Sequence, residues 1–132
     1  MNRARLFKPQ SVHGSEVYLL RMVLHHWPDA DAVAILRNLI GTMSSGSRLI
    51  MDSVLPRPSS MPSAQERMLR ARDMTMLEVF NSLERDEKDW RRLLATADWG
   101  MTLRGTQEPT RSALSLLDVV YAASEVHGIY LK

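Results

Sequence analysis

Eight residues, Val17 to Leu24 (VYLLRMVL), are apolar on both faces of an extended chain apart from Arg21. A strand with one face in water alternates apolar and polar residues, whereas a strand buried in a parallel sheet does not. The run passes directly into His25-His26-Trp27-Pro28-Asp29, and apolar residues then recur at Val33, Leu36, Leu39 and Ile40. That second spacing is helical. Pro28 suits a helix start, Asp29 and Asp31 face the positive end of the helix dipole, and Gly41 can close the last turn. A helix is therefore expected over Ala30–Ile40. A buried strand that feeds straight into a helix calls for a layered α/β chain.

The pattern continues along the chain. Ser44-Ser45-Gly46 is a turn, and Arg48 to Leu55 is a second apolar strand. The stretch Pro56 to Pro62 (PRPSSMP) is a loop. Ala64 to Phe80 has the spacing of a long helix, with Met68, Ala71, Thr75 and Met76 or Leu77 along one side. Asp86 can cap a further helix in which Trp90, Leu93, Leu94 and Ala97 share a face. Strands are expected over Met101–Thr106 and Ala113–Tyr121, on either side of the turn-like Gln107-Glu108-Pro109-Thr110. The expected fold is α/β, parallel at first, with a hairpin-linked pair at the end. Residues 122–132 lack periodicity and are expected to be a tail.

Composition removes several function classes. A chain of 132 residues without cysteine has no disulfide, no thiolate nucleophile and no Cys-ligated zinc. The net charge is +2, and the basic residues are scattered rather than gathered on one stripe, so no nucleic-acid partner is expected. No signal-type apolar segment follows the N-terminus, and no apolar run approaches the ~20 residues of a membrane span. A cytoplasmic protein without a membrane partner is the expectation. Nine methionines against three Trp, three Tyr and two Phe suit either plain core packing or an adaptable apolar pocket.

Three ionisable positions can carry chemistry. His25 and His26 lie where the first strand should end, and α/β sheets bind ligands beyond the carboxyl ends of their strands. A neutral imidazole there can act as a general base. Side chains alternate along an extended backbone, so one of the two rings is expected to face the crevice. The alternative is a ring bonded to backbone at a tight corner. Adjacent histidines are poor chelators, since sites on one helix use i, i+4 spacing, and no metal is expected. Asp52 lies in an apolar strand, where a carboxylate needs a partner or a strand end. Its position matches that of His25 on a neighbouring strand, so the two can meet; alternatively Asp52 begins the turn to Pro56. Glu84, in the run LERDEKDW, is by composition part of a solvated charge run before a helix.

Four segments, "LFKPQSVHGSEVYLLRMVLHHWPDADAVAILRNL", "SRLIMDSVLP", "RDMTMLEVFNSLERDEKDWRRLL" and "SALSLLDVV", follow one another in an order seen in a known family. Together they resemble the C-terminal half of a fungal-type, metal-independent O-methyltransferase, akin to the plant caffeate and flavonoid enzymes. The likeness runs from about Leu6 to Tyr121. It implies a partial Rossmann-like class I methyltransferase sheet over residues 1–121, made of the later strands and helices. It also implies methyl transfer from S-adenosylmethionine to a hydroxyl of a small aromatic or polyketide-type acceptor in secondary metabolism. The family's catalytic histidine sits in a Leu-His-Asp-Trp-Pro-Asp segment, and His25 falls on it. The acids that flank that histidine fall on Asp52 and Glu84. The resemblance further places Arg21 and Trp27 near the cofactor, and His26, Met74, Met76, Phe80 and Asn81 around the acceptor.

The departures are as informative. No Gly-x-Gly occurs in the chain, so the glycine turn that lets backbone approach the cofactor is absent from it. The family's Gly-Asp-Met-Phe segment reads Ala4-Arg5-Leu6-Phe7, which replaces an acid with a cation beside a cationic ligand. The acid after the catalytic histidine is His26. The edge Val17–Leu24 is expected to lack its strand neighbour and to be open to pairing with a second copy or another chain. Two further functions remain open: an inactive remnant or subunit that binds a full-length relative, and a pocket that shapes its substrate without methyl transfer.

Overall fold

A computed structural model of the chain describes residues 3–52, 62–82, 84–107 and 115–123; the side chains of residues 3, 4 and 52 lie outside that description. A short helix α1 (Arg3–Leu6) precedes strand β1 (Val17–Leu20), a 3-10 turn (Leu24–His26), helix α2 (Asp29–Ile40) and strand β2 (Arg48–Asp52). Helices α3 (Ser63–Phe80) and α4 (Glu87–Ala97) follow, then strands β3 (Met101–Gln107) and β4 (Leu116–Tyr121). The sheet order is β1-β2-β4-β3. β1 and β2 are parallel, with α2 as their crossover, and β4 runs antiparallel to both β2 and β3. The α/β class and the parallel-then-hairpin order expected from the sequence are both present. The loop at 56–61, the residues 53–55, the turn at 108–110, the start of the last strand at 113–114 and the tail from 124 onward lie outside the described residues.

Side-chain alternation fixes which sheet face is covered. Tyr18, Leu49, Val119 and Leu103 stand in register across the four strands, and all four are buried. α2 presents Ala32, Val33, Ile35, Leu36 and Leu39 to the core, and α4 presents Trp90, Leu93, Leu94 and Ala97. The α4 face is the one its spacing called for. Its N-terminus is a capping box: Asp86 accepts from the Asp89 N–H at 2.8 Å, and the Asp89 carboxylate accepts from the Asp86 N–H. The opposite row of the sheet is more open, with Leu19 67% exposed and Ile50 and Asp118 half-buried.

Two expectations are corrected. The run Val17–Leu24 is not one strand buried on both faces. Its extended part stops at Leu20, and Val17 and Leu19 point outward. The cause is local: Met22 adopts a left-handed backbone (φ 52°), and Trp27 N–H donates to the Leu24 carbonyl to close the 3-10 turn. A left-handed non-glycine residue costs roughly 1–2 kcal/mol and is kept where surrounding contacts hold it. The second correction concerns α3. Met68 and Leu77 are exposed, as are Ala71 and Thr75. The inward stripe is Gln65, Leu69, Arg72 and Met76, one step around the helix from the expected one. An apolar-only count misplaces the stripe because one of its members is an arginine.

The loop between α4 and β3 depends on Gly100. Its N–H donates to the Asp98 carboxylate at 2.7 Å, and its carbonyl accepts from Ala122 N–H at 2.9 Å. A β-carbon at this position would collide with the Ala122 carbonyl oxygen and press on the Tyr121 ring. Backbone cannot move aside as a side chain can, so Gly100→Ala is expected to destabilise the chain by about 1–3 kcal/mol. Urea unfolding monitored by circular dichroism measures this, with Gly105→Ala, which has open space around it and no positive φ, as the comparison.

Candidate active site

The site forms where the 3-10 turn meets the segment between α3 and α4. His25 is 2% exposed, and its Nδ1 lies 2.8 Å from Oε1 of the buried Glu84. An ionised carboxylate only accepts, so against Glu84 a neutral ring carries its proton on Nδ1 and its lone pair on Nε2, whereas Arg72 Nη2, 3.1 Å from the same Nδ1, suits the opposite tautomer. Nε2 is buried and has no hydrogen-bond partner among the described residues. Buried nitrogen without a partner is costly, and such atoms are retained where a ligand supplies the missing bond.

The two segments are fastened together by backbone-directed bonds. The Ser82 hydroxyl donates to the His25 carbonyl. Arg85, 3% exposed, donates from Nη1 to the Leu24 carbonyl at 3.0 Å and from Nη2 to the Trp27 carbonyl at 2.8 Å. The same guanidinium bonds Asp29 at the start of α2 and lies 5.2 Å from the Trp90 ring centre. α3 grips Glu84 from the other side: Asp73 accepts from the Glu84 N–H at 2.7 Å, and Arg72 Nε lies 3.1 Å from Glu84 Oε1. Asn81 ends α3 in a left-handed conformation (φ 51°), which turns the chain back toward His25.

The adjacent ring is arranged differently from the expectation. His25 and His26 lie on a 3-10 turn rather than an extended chain, so their side chains do not diverge. Their ring centres are 4.1 Å apart with a tilt of 33°, and His26 continues to Phe80 at 4.5 Å. Burial, together with the neighbouring His25 ring, holds the His26 imidazole below its usual range. Of the other expected residues, Met76 is half-buried and Met74 is 65% exposed. Trp27 is half-buried and meets Phe7 edge-on at 5.2 Å. Arg21 is exposed beyond the end of β1. Asp52 ends β2, one position past the Leu20–Met51 pair.

Sequence reasoning missed Arg72, Asp73, Ser82 and Arg85. Arg72 carried a signal, since it falls on the inward stripe of α3 once that is placed correctly, and Asp73 is half-buried beside it. Ser82 and Arg85 carried none, because their partners are carbonyls nearly sixty residues away.

The fold is shared with known proteins. Residues 4–100 match the family model of the O-methyltransferase domain, and the chain belongs to that family. It is 49% identical over 117 residues to the O-methyltransferase pgmB of Aspergillus terreus, which covers 87% of this chain and 33% of that protein. Among solved structures, it is similar to LepI in complex with SAM (TM-score 0.74, 27% identity, 89% of this chain and 28% of that one). It is likewise similar to the mitomycin 7-O-methyltransferase MmcR (TM-score 0.74, 25% identity, 89% and 32%). The sheet is thus the later part of a class I methyltransferase sheet. The chain spans about a third or less of the length of these proteins.

Two measurements check the site. Because the folded state holds His26 neutral, the unfolded chain binds its proton first as the pH falls below about 6.5. Stability is therefore expected to fall from pH 7 toward pH 5, and His26→Phe should remove that part of the loss in thermal melts. Arg85→Met leaves the Leu24 and Trp27 carbonyls without their donors and should cost roughly 2–4 kcal/mol. Denaturant titration reads this loss directly.

Proposed function

We propose that His25 is the general base of an O-methyl transfer, working in an assembly that supplies the rest of the methyltransferase domain. The observation that carries this reading is the buried ring with Nδ1 bonded to Glu84 and an unpartnered Nε2. A small-molecule hydroxyl bound beside Nε2 would pass its proton to that nitrogen and keep the electron pair on oxygen. Glu84 then faces an imidazolium and stabilises it, as acids paired with catalytic histidines do. Asp52 is proposed as a second acid beside the ring. His26, Phe80, Met76, Met74 and Asn81 form the acceptor wall, and the stacked His26–Phe80 pair favours a planar, aromatic or polyketide-type acceptor of secondary metabolism.

The proposed cofactor is S-adenosylmethionine, which supplies an electrophilic methyl group on a sulfonium. The residues of this chain do not by themselves fit it. Phe7 and Trp27 offer aromatic edges and faces, with Arg21 nearby in sequence, but the groove beside them carries Arg5 and Lys8, which repel a cation. No Gly-x-Gly turn is present to admit a close backbone approach. The cofactor contacts are therefore assigned mainly to the remainder of the domain. β1 is the edge strand on that side of the sheet, with Val17 54% and Leu19 67% exposed, and its free edge suits pairing with that remainder or with a second chain.

The test joins this chain to the preceding portion of a relative such as pgmB and follows methyl transfer to a phenolic acceptor. His25→Ala should lower kcat by about 100-fold or more without changing cofactor affinity, the size expected for loss of a general base. Unchanged turnover would assign this chain a non-catalytic, subunit role. Titration calorimetry of the chain alone should show no saturable cofactor binding; micromolar binding would contradict the division of labour.

A further inference from the structure

Two nitrogens among the described residues meet the Glu84 carboxylate, where a base and its orienting acid need only one such contact. Its Oε1 lies 2.8 Å from His25 Nδ1 and 3.1 Å from Arg72 Nε, while Arg72 Nη2 is 3.1 Å from the same Nδ1. The Glu84 side chain is 3% exposed and that of Arg72 is 24% exposed. A buried carboxylate must be neutralised, by a proton or by a cation. If His25 were the sole neutralising group, the favoured pair would be imidazolium and carboxylate. An imidazolium has no lone pair on Nε2 and cannot take a proton.

We propose that Arg72 is a positioning residue that supplies the counter-charge of Glu84, so that His25 meets the carboxylate as a neutral ring protonated on Nδ1. The inference rests on the reading of His25 as the base, and it adds how that base is kept in its working form. A guanidinium is the group for this role, because it stays charged at all relevant pH values and its donors lie in a fixed fork. The two contacts of Nδ1 pull in opposite directions. With the proton on Nε2, the Nδ1 lone pair would accept from Arg72 at 3.1 Å but would stand 2.8 Å from a carboxylate oxygen, acceptor against acceptor. The proposal gives the shorter, charged contact the greater weight, so that Arg72 works through Glu84 by its Nε rather than through the ring.

Every charged neighbour has to be counted. The turn contributes His26, stacked on His25 and held neutral by burial. α3 contributes Arg72 and Asp73, and Asp73 is bonded to the Glu84 backbone. The segment before α4 contributes Glu84 and Arg85, and Arg85 is satisfied by two carbonyls and Asp29. β2 ends in Asp52, the remaining acid in the proposed site. Arg72 is thus a cation in direct contact with the Glu84 carboxylate among the described residues.

The arrangement also links the acceptor wall to the base. Arg72 lies one helical turn before Met76 and two turns before Phe80 on α3. A shift of α3 that opened the wall would draw the guanidinium away from Glu84, and the base would lose its neutral form together with its substrate contacts.

The test reads the ring itself, in the full 132-residue chain with 15N-labelled histidine, so it does not depend on turnover. Long-range 1H–15N spectra between pH 5 and 8 report which ring nitrogen is protonated. Wild type should show His25 protonated on Nδ1 only at pH 7. Arg72→Met should raise the His25 titration midpoint by about one pH unit or more, the lower end of the effect of a charge within 4–6 Å. Arg72→Lys, which keeps the charge, should restore most of the wild-type midpoint. A folded Arg72→Met with an unchanged midpoint would overturn the proposal. If Arg72→Met does not fold, Glu84→Leu decides: with every oxygen acceptor of that side chain gone, Arg72 should become the donor to Nδ1 and the proton should move to Nε2. A ring that keeps its proton on Nδ1 in Glu84→Leu would equally overturn it. Should these spectra behave as expected while His25→Ala leaves methyl transfer intact, the charge arrangement stands and the catalytic reading of His25 falls.

Discussion

The interaction on which the site depends is the contact between a buried imidazole and a buried carboxylate that are 59 residues apart, His25 and Glu84. Neither group is stable in the interior alone, since each has polar atoms that water would otherwise satisfy. The remaining bonds of the region exist around that contact. Ser82 and Arg85 tie the chain on either side of Glu84 to the carbonyls of Leu24, His25 and Trp27. Arg72 and Asp73 hold Glu84 from α3. The outcome is a buried imidazole whose orientation is set by three chain segments, residues 24–29, 72–73 and 82–86, and whose Nε2 has no hydrogen-bond partner among the described residues.

Much of the fold could be inferred from the sequence because it is governed by periodicity. α2, α4 and the order of strands follow directly from apolar spacing and from Asp86 as a cap. The failures share one physical origin, which is that pattern says little about where backbone geometry breaks. Met22 turns left-handed in the middle of an apolar run, so a segment with strand composition ends after Leu20 and bends into a 3-10 turn. The same bend brings His25 and His26 face to face, where an extended chain would have separated them. On α3 the buried stripe includes a charged residue, so hydrophobic spacing placed it one step away.

The site was inferable to a different depth at each residue. His25 was singled out by its expected place at a strand end, which the structure moves onto a 3-10 turn, and by the family resemblance. Glu84 was invisible to composition, since a charge run before a helix is ordinarily solvated, and only the resemblance singled it out. Arg72 was legible only as a member of the α3 stripe, and Arg85 not at all. Their contacts are to backbone and to Glu84 across long stretches of chain, and no local spacing encodes such a partner.

The division between base and cofactor follows from where the bonds lie. Every described contact that orients His25 comes from within this chain, from residues 24–29, 72–73 and 82–86. The His25 ring is therefore preorganised for its proposed role by contacts within this chain alone. Preorganised polar groups lower a barrier because they need no rearrangement at the moment of reaction. β1 is the opposite case. It is apolar, short and exposed along one face, and it lacks a strand neighbour on its outer side among the described residues. An edge of that kind is stabilised by pairing, while the His25 cluster is already complete apart from one nitrogen. On the proposed reading, proton abstraction and the surface that would recruit the methyl donor are thus built from separate elements, and only the second would need another stretch of chain to be finished.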